Sequence, residues 1–73
     1  MQSSRLIPLA AMESLMKKAG APRVSESSKK TLKTLLEEYG ANLTKEALLL
    51  SSHAKRKTIH SSDLELASKK IKP

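Results

Sequence analysis

Cysteine is absent from the 73 residues, as are tryptophan and phenylalanine, and the single aromatic is Tyr39. Without thiols there is no disulfide framework, no cysteine nucleophile and none of the common cysteine-based zinc sites, which leaves His53 and His60 as the only imidazole ligands. No metal or other cofactor is expected. Apolar runs are short: none exceeds the four residues Ala47–Leu50, against the roughly 20 that a membrane span requires. The N-terminus also lacks the charged-then-apolar pattern of a secretory signal. A soluble, intracellular chain is expected. At this length one small domain is the ceiling, with no room for separate catalytic and binding lobes. No nucleophile beside a plausible base, no paired acids in a cleft and no Gly-rich phosphate cradle is found, so neither an enzyme nor a small-molecule substrate is expected.

What the chain does have is charge of one sign. Fourteen Lys and Arg against seven Asp and Glu give +7 at pH 7 and a pI near 10.0. Such an excess favours polyanionic partners, either nucleic acid or an anionic membrane surface. The apolar share is 38%, and a chain this short buries only about 60% of its unfolded surface when folded alone. Small domains poor in large apolar side chains are held by disulfides, by metal or by association. The first two are excluded here, and association remains.

Pro8 suits a helical first turn, and Leu9, Met12, Leu15, Met16 and Ala19 follow at helical spacing until Gly20 and Pro22. This predicts a short amphipathic helix. Ala21–Val24 reads as a loop, and Ser25 followed by Glu26 reads as an N-cap with a dipole-favourable acid behind it. From there Leu32, Leu35, Leu36, Tyr39, Leu43, Ala47, Leu50 and Ala54 advance by threes and fours. An interior glycine costs roughly 1 kcal/mol against alanine. The stripe nevertheless keeps its phase across Gly40, with no proline or cap behind it, and the spacing predicts one helix over 26–54. Lys55, Arg56 and Lys57 close it, Thr58-Ile59 is a β-favouring pair, and Ser62-x-x-Glu65 reads as the capping box of a last helix bearing Leu64, Ala67 and Ile71. The chain is thus expected to be all-α, with a flexible N-terminus at residues 1–5 and one domain over 6–72.

At 1.5 Å per residue the middle helix reaches about 43 Å, whereas the two flanking helices laid end to end reach about 32 Å. One chain cannot cover its own middle helix. The leftover apolar surface is expected to meet a second copy or a related chain, with the long helices crossing and folding linked to pairing.

Three blocks stand in register: Lys18-Ala19-Gly20-Ala21-Pro22-Arg23-Val24-Ser25, then Leu36-Glu37-Glu38-Tyr39-Gly40, then His53-Ala54-Lys55-Arg56-Lys57-Thr58-Ile59 followed by Asp63-Leu64-Glu65-Leu66-Ala67. In order and wording, from Leu6 to Lys72, the chain resembles the small, tail-less archaeal-type histones. The resemblance implies the histone fold and a handshake dimer, in which the R-V-S loop of one protomer lies beside the K-T-I loop of the other and double-stranded DNA runs along the ridge they form. It implies that Arg23 enters the minor groove, where width and A·T content are read but no full base code exists. Lys57 and Thr58 would meet phosphates, Lys17 and Lys18 would do so near the end of the first helix, and Lys55 would add charge. Arg56 and Asp63 match an intrachain ion pair bracing the second loop, where a planar guanidinium suits a carboxylate. Leu50, His53, Asp63 and Leu66 match a contact between adjacent dimers, which would let dimers assemble into tetramers or filaments on DNA. Gly20 has two roles open to it, a left-handed helix stop and a small residue where stacked turns approach closely.

Two positions depart from the pattern. Ser14 stands where many relatives carry arginine, beside Glu13, which should weaken phosphate contacts. Lys55 stands where relatives often have glycine, at a backbone position preferring φ > 0. The function implied is an architectural protein of the cytoplasmic nucleoid that wraps or compacts duplex DNA with little sequence preference. The alternative is a histone-fold subunit that pairs with a different chain in a transcription or DNA-repair complex. A membrane-surface peptide is disfavoured, because aromatic interface anchors are missing and the apolar stripes are patterned to meet each other.

Overall fold

The computed structural model describes residues 7–72; the flexible N-terminus expected at residues 1–5 lies outside the described residues. These residues form α1 (Leu9–Lys18), α2 (Glu26–His53) and α3 (Ser61–Lys70), with no strand among them. The order short, long, short is the one the apolar periodicity predicts.

Pro8 stands one place earlier than expected, as the N-cap of α1, with extended backbone and its carbonyl accepting from the Ala11 N–H at 3.1 Å. The helix ends in a reciprocal stop: the Ala21 N–H returns to the Met16 carbonyl and the Gly20 N–H to the Lys17 carbonyl, both at 3.0 Å. Gly20 closes that stop at φ +111°, while a Cβ built there would meet nothing within 4 Å. Within the chain it is therefore the backbone angle, and not crowding, that calls for glycine. Ser25 caps α2 as the sequence suggests: its Oγ accepts from the Ser28 N–H at 3.1 Å, and the Ser28 hydroxyl donates back to the Ser25 carbonyl at 2.9 Å. The helix passes Gly40 without a break and ends at His53.

The same stop recurs after α2, where the Arg56 N–H reaches the Ser51 carbonyl and the Lys55 N–H reaches the Ser52 carbonyl, both at 2.9 Å. Here the left-handed position is held by Lys55, at φ 60°. A side chain in that region crowds the following carbonyl, a cost glycine does not carry. Lys55→Gly is accordingly expected to raise stability by about 1 kcal/mol, glycine's greater freedom in the unfolded chain offsetting part of the relief. A higher denaturant midpoint at unchanged m-value would show this; a lower midpoint would contradict it.

The start of α3 differs from the expectation. Ser62 and Glu65 form no capping box; the helix begins at Ser61 with His60 as N-cap, and Asp63 fills the third position, its carboxylate accepting from the His60 N–H at 2.8 Å. Asp63 is already fixed from the other side by Arg56, which selects this register.

The chain divides into two compact units between Glu38 and Tyr39, in the middle of α2. In the first, α1 and the early turns of α2 bury Met12 and Lys33. In the second, the later turns of α2 and α3 bury Ala47, Ser51, Asp63 and Ala67. Among the described residues Met12, Ala47 and Ala67 are thus the only buried apolar ones, while Leu15, Leu35, Leu48, Leu49, Leu64 and Leu66 are 37–57% exposed. That balance is the reverse of a self-sufficient domain, whose large aliphatic side chains are mostly inside.

Candidate nucleic-acid interface

In the first unit the loop between α1 and α2 is fixed at one end by the Gly20 stop and at the other by the Ser25 cap. Arg23 projects between them, exposed and without an ion pair among the described residues. Lys18 is likewise exposed and unpaired among them. Lys17 is not free: its Nζ lies 3.2 Å from Glu13 Oε2, one turn back on α1. The other oxygen of Glu13 is 3.2 Å from Lys29 Nζ, and Lys29, whose side chain is only 12% exposed, also pairs with Glu26. Hydrogen bonds from Lys17 and Lys29 hold the Glu13 carboxyl below the usual carboxylate range, while Glu26 and Glu13 push the Lys29 ammonium up. Both shifts favour the charged form, so Glu13 and Lys29 face each other as a carboxylate and an ammonium at neutral pH.

In the second unit, Arg56 grips Asp63 with two prongs, Nη1 to Oδ2 at 3.0 Å and Nη2 to Oδ1 at 2.9 Å. Its Nη1 also donates to the Thr58 carbonyl at 3.0 Å. The fork ties together the end of α2, the connecting loop and the first turn of α3. Arg56 is thereby spent on bracing the loop, and the side chains left outward are Lys55, Lys57 and Thr58, all exposed and without an ion pair among the described residues. The arrangement offers two cations and a hydroxyl on a loop whose backbone is fixed at three points.

Asp63 is held down to about 2, first by the Arg56 hydrogen bonds and then by the His60 N–H, and Arg56 is pushed up in turn. A carboxylate depressed in the folded state stabilises the fold fully above its unfolded pKa of 3.8, and that contribution fades as pH falls toward 2. The thermal midpoint of the unaltered chain should therefore exceed that of Asp63→Asn at pH 5 and above, and the gap should narrow between pH 4 and 2. A gap that stays constant down to pH 2 would contradict the linkage.

The residues matched to a contact between dimers all lie in this second unit. Leu50 is half-buried, His53 is exposed, Leu66 is 53% exposed and Asp63 is buried. His53 does not bond Asp63 within the chain. Asp63 Oδ2 already accepts two hydrogen bonds and Oδ1 one, which leaves Oδ1 the oxygen with more remaining acceptor capacity for a donor from outside.

Sequence reasoning missed the Glu13–Lys29–Glu26 group and the 2.8 Å pair between Lys70 and Glu46. Glu13 and Lys17 are four apart on a helix, a spacing that signals a pair on its own. Glu26 and Lys29, three apart on α2, carry the same kind of signal, whereas the Glu13–Lys29 pair, sixteen residues apart, carries none.

A family model described as "Histone-like transcription factor (CBF/NF-Y) and archaeal histone" matches residues 5–67. The chain is 44% identical over 63 residues to a subunit of the archaeal histone HAN1 from Thermococcus zilligii, covering 86% of this chain and 94% of that protein. It is 39% identical over 61 residues to "Probable archaeal histone 3" of Methanocaldococcus jannaschii, covering 84% of this chain and 91% of that one.

Proposed function

The chain belongs to the family of histone-like transcription factors and archaeal histones, and from that premise we propose that it pairs with a second histone-fold chain and wraps or compacts duplex DNA with little sequence preference. The observation that carries this reading is the pair of anchored loops whose outward side chains are unpaired: Arg23 on the first, and Lys55, Lys57 and Thr58 on the second. In a handshake pair each first loop of one copy stands beside the second loop of the other. Arg23 would then enter the minor groove while Lys57 and Thr58 hold the flanking phosphates. Lys18 adds a phosphate contact at the end of α1. Binding of this kind is driven by counterion release, and specificity is left to DNA deformability.

Fluorescence anisotropy on unrelated duplexes across a salt series tests the reading. The expected result is a steep fall of log K with log salt, about 0.9 for each phosphate neutralised, with similar affinity for every duplex. A shallow slope would overturn it, and so would a preference of several kcal/mol for one sequence.

On DNA, adjacent dimers would meet through Leu50, His53 and Leu66, the imidazole sharing Asp63 Oδ1 across the contact. Assembly of this kind would give tetramers or filaments associated with the nucleoid. A second reading has one specific observation behind it: the Thermococcus zilligii relative is named as one subunit of its histone. On that reading the natural partner is a different histone-fold chain. Sizing the purified protein separates the two: a stable homodimer favours the first, and a lone chain that is unfolded or aggregated favours the second.

A further inference from the structure

We infer that Glu13 sets the affinity of the DNA edge, acting as a carboxylate that holds Lys17 away from phosphate and so weakens the grip of α1. The inference rests on the DNA-binding reading above. Its basis is the uneven use of two cations by one carboxylate. Lys29, 12% exposed and also paired with Glu26, is a packed tie between α1 and α2; Lys17, 52% exposed, ties nothing across helices, being on the same helix as its partner. The Glu13–Lys29 contact alone would join the helices. The Glu13–Lys17 contact adds no such tie but removes an outward-facing cation from a surface whose other exposed cations, Lys18 and Arg23, have no carboxylate partner among the described residues.

Glu13 itself is 40% exposed, so its charge also reaches whatever approaches the end of α1. A phosphate arriving there meets an anion first, and to engage Lys17 it must compete for an ammonium already neutralised at 3.2 Å. Exposed pairs of this kind hold weakly, so Lys17 is damped but not removed from use. Glu13→Gln preserves the length of the side chain and leaves an amide oxygen able to accept from Lys29. It removes the charge that neutralises Lys17 and repels phosphate. Released, Lys17 contributes one more phosphate contact per chain.

The test is a salt titration of one duplex with the unaltered chain, Glu13→Gln, Lys17→Ala and the double variant. Glu13→Gln is expected to steepen the salt slope by between about half and about one per chain and to tighten binding by up to about tenfold per chain near 0.1 M salt. Lys17→Ala is expected to cost at least twice as much slope in the Glu13→Gln background as in the unaltered chain. Equal slopes and affinities for the unaltered chain and Glu13→Gln, with both binding DNA steeply, would overturn the inference while leaving the DNA-binding reading intact. No steep binding by any of the four would overturn both. Should Glu13→Gln lose helicity, the unaltered chain decides: Lys17→Ala must then lower the slope by less than half of what Lys18→Ala does, and an equal loss would overturn the inference.

Discussion

Leu35→Glu is expected to leave the chain without stable helices at micromolar concentration. Leu35 lies in the apolar stripe of α2 yet is 57% exposed among the described residues, so the packing they provide leaves most of that leucine uncovered. Burying a leucine fully contributes roughly 2 kcal/mol, and a carboxylate placed in the same contact adds its own desolvation cost. In a symmetric pair each substitution counts twice, so the loss is at least about 4 kcal/mol, or about a thousandfold in the pairing constant. A small domain has little in reserve against that loss. Far-UV circular dichroism with sedimentation reads the outcome. Wild-type helicity and an unchanged thermal midpoint for Leu35→Glu would mean that the exposed stripe is not an interface.

Arg23→Ala is expected to weaken DNA binding by tenfold or more at roughly 0.1 M salt, and to make the salt slope shallower by about one per chain. The fold should tolerate it, because Arg23 is exposed, makes no ion pair among the described residues, and sits in a loop held by backbone bonds at Gly20 and by the Ser25 cap. Arg23→Lys separates charge from shape. If the guanidinium enters a narrow minor groove, lysine restores the slope but only part of the affinity, since a compact, strongly hydrated ammonium fits that position less well. Affinity and slope both unchanged in Arg23→Ala would remove the first loop from the interface.

The continuous α2 was legible because the leucine series keeps its phase through Gly40, and a side-chain Cβ there would still meet open space. The Ser25 cap was legible because a serine stands directly before Glu26 at the start of the stripe, and the bond it makes is local, to the Ser28 N–H. The start of α3 was not, because two overlapping patterns compete there. Asp63 serves as the third residue after His60, and the Ser62/Glu65 box loses, on account of a partner seven residues back across a loop. No local spacing announces that partner; only the resemblance pointed to Arg56. The burial of Lys33 and Ser51 was hidden for a similar reason. Composition places a lysine or serine outside by default, and their positions depend on which face of α2 meets α1 or α3. Lys55 was legible as a side chain at a position preferring glycine, and the backbone there is indeed left-handed.

If this chain's helices are complete only against a second chain, their melting must depend on how much protein is present. Thermal unfolding followed by circular dichroism over a wide dilution series, with sedimentation equilibrium on the same samples, tests this most directly. The predicted result is a midpoint that rises with protein concentration and a mass of two chains wherever helicity is present. A midpoint independent of concentration, together with a folded species of single-chain mass, would contradict it.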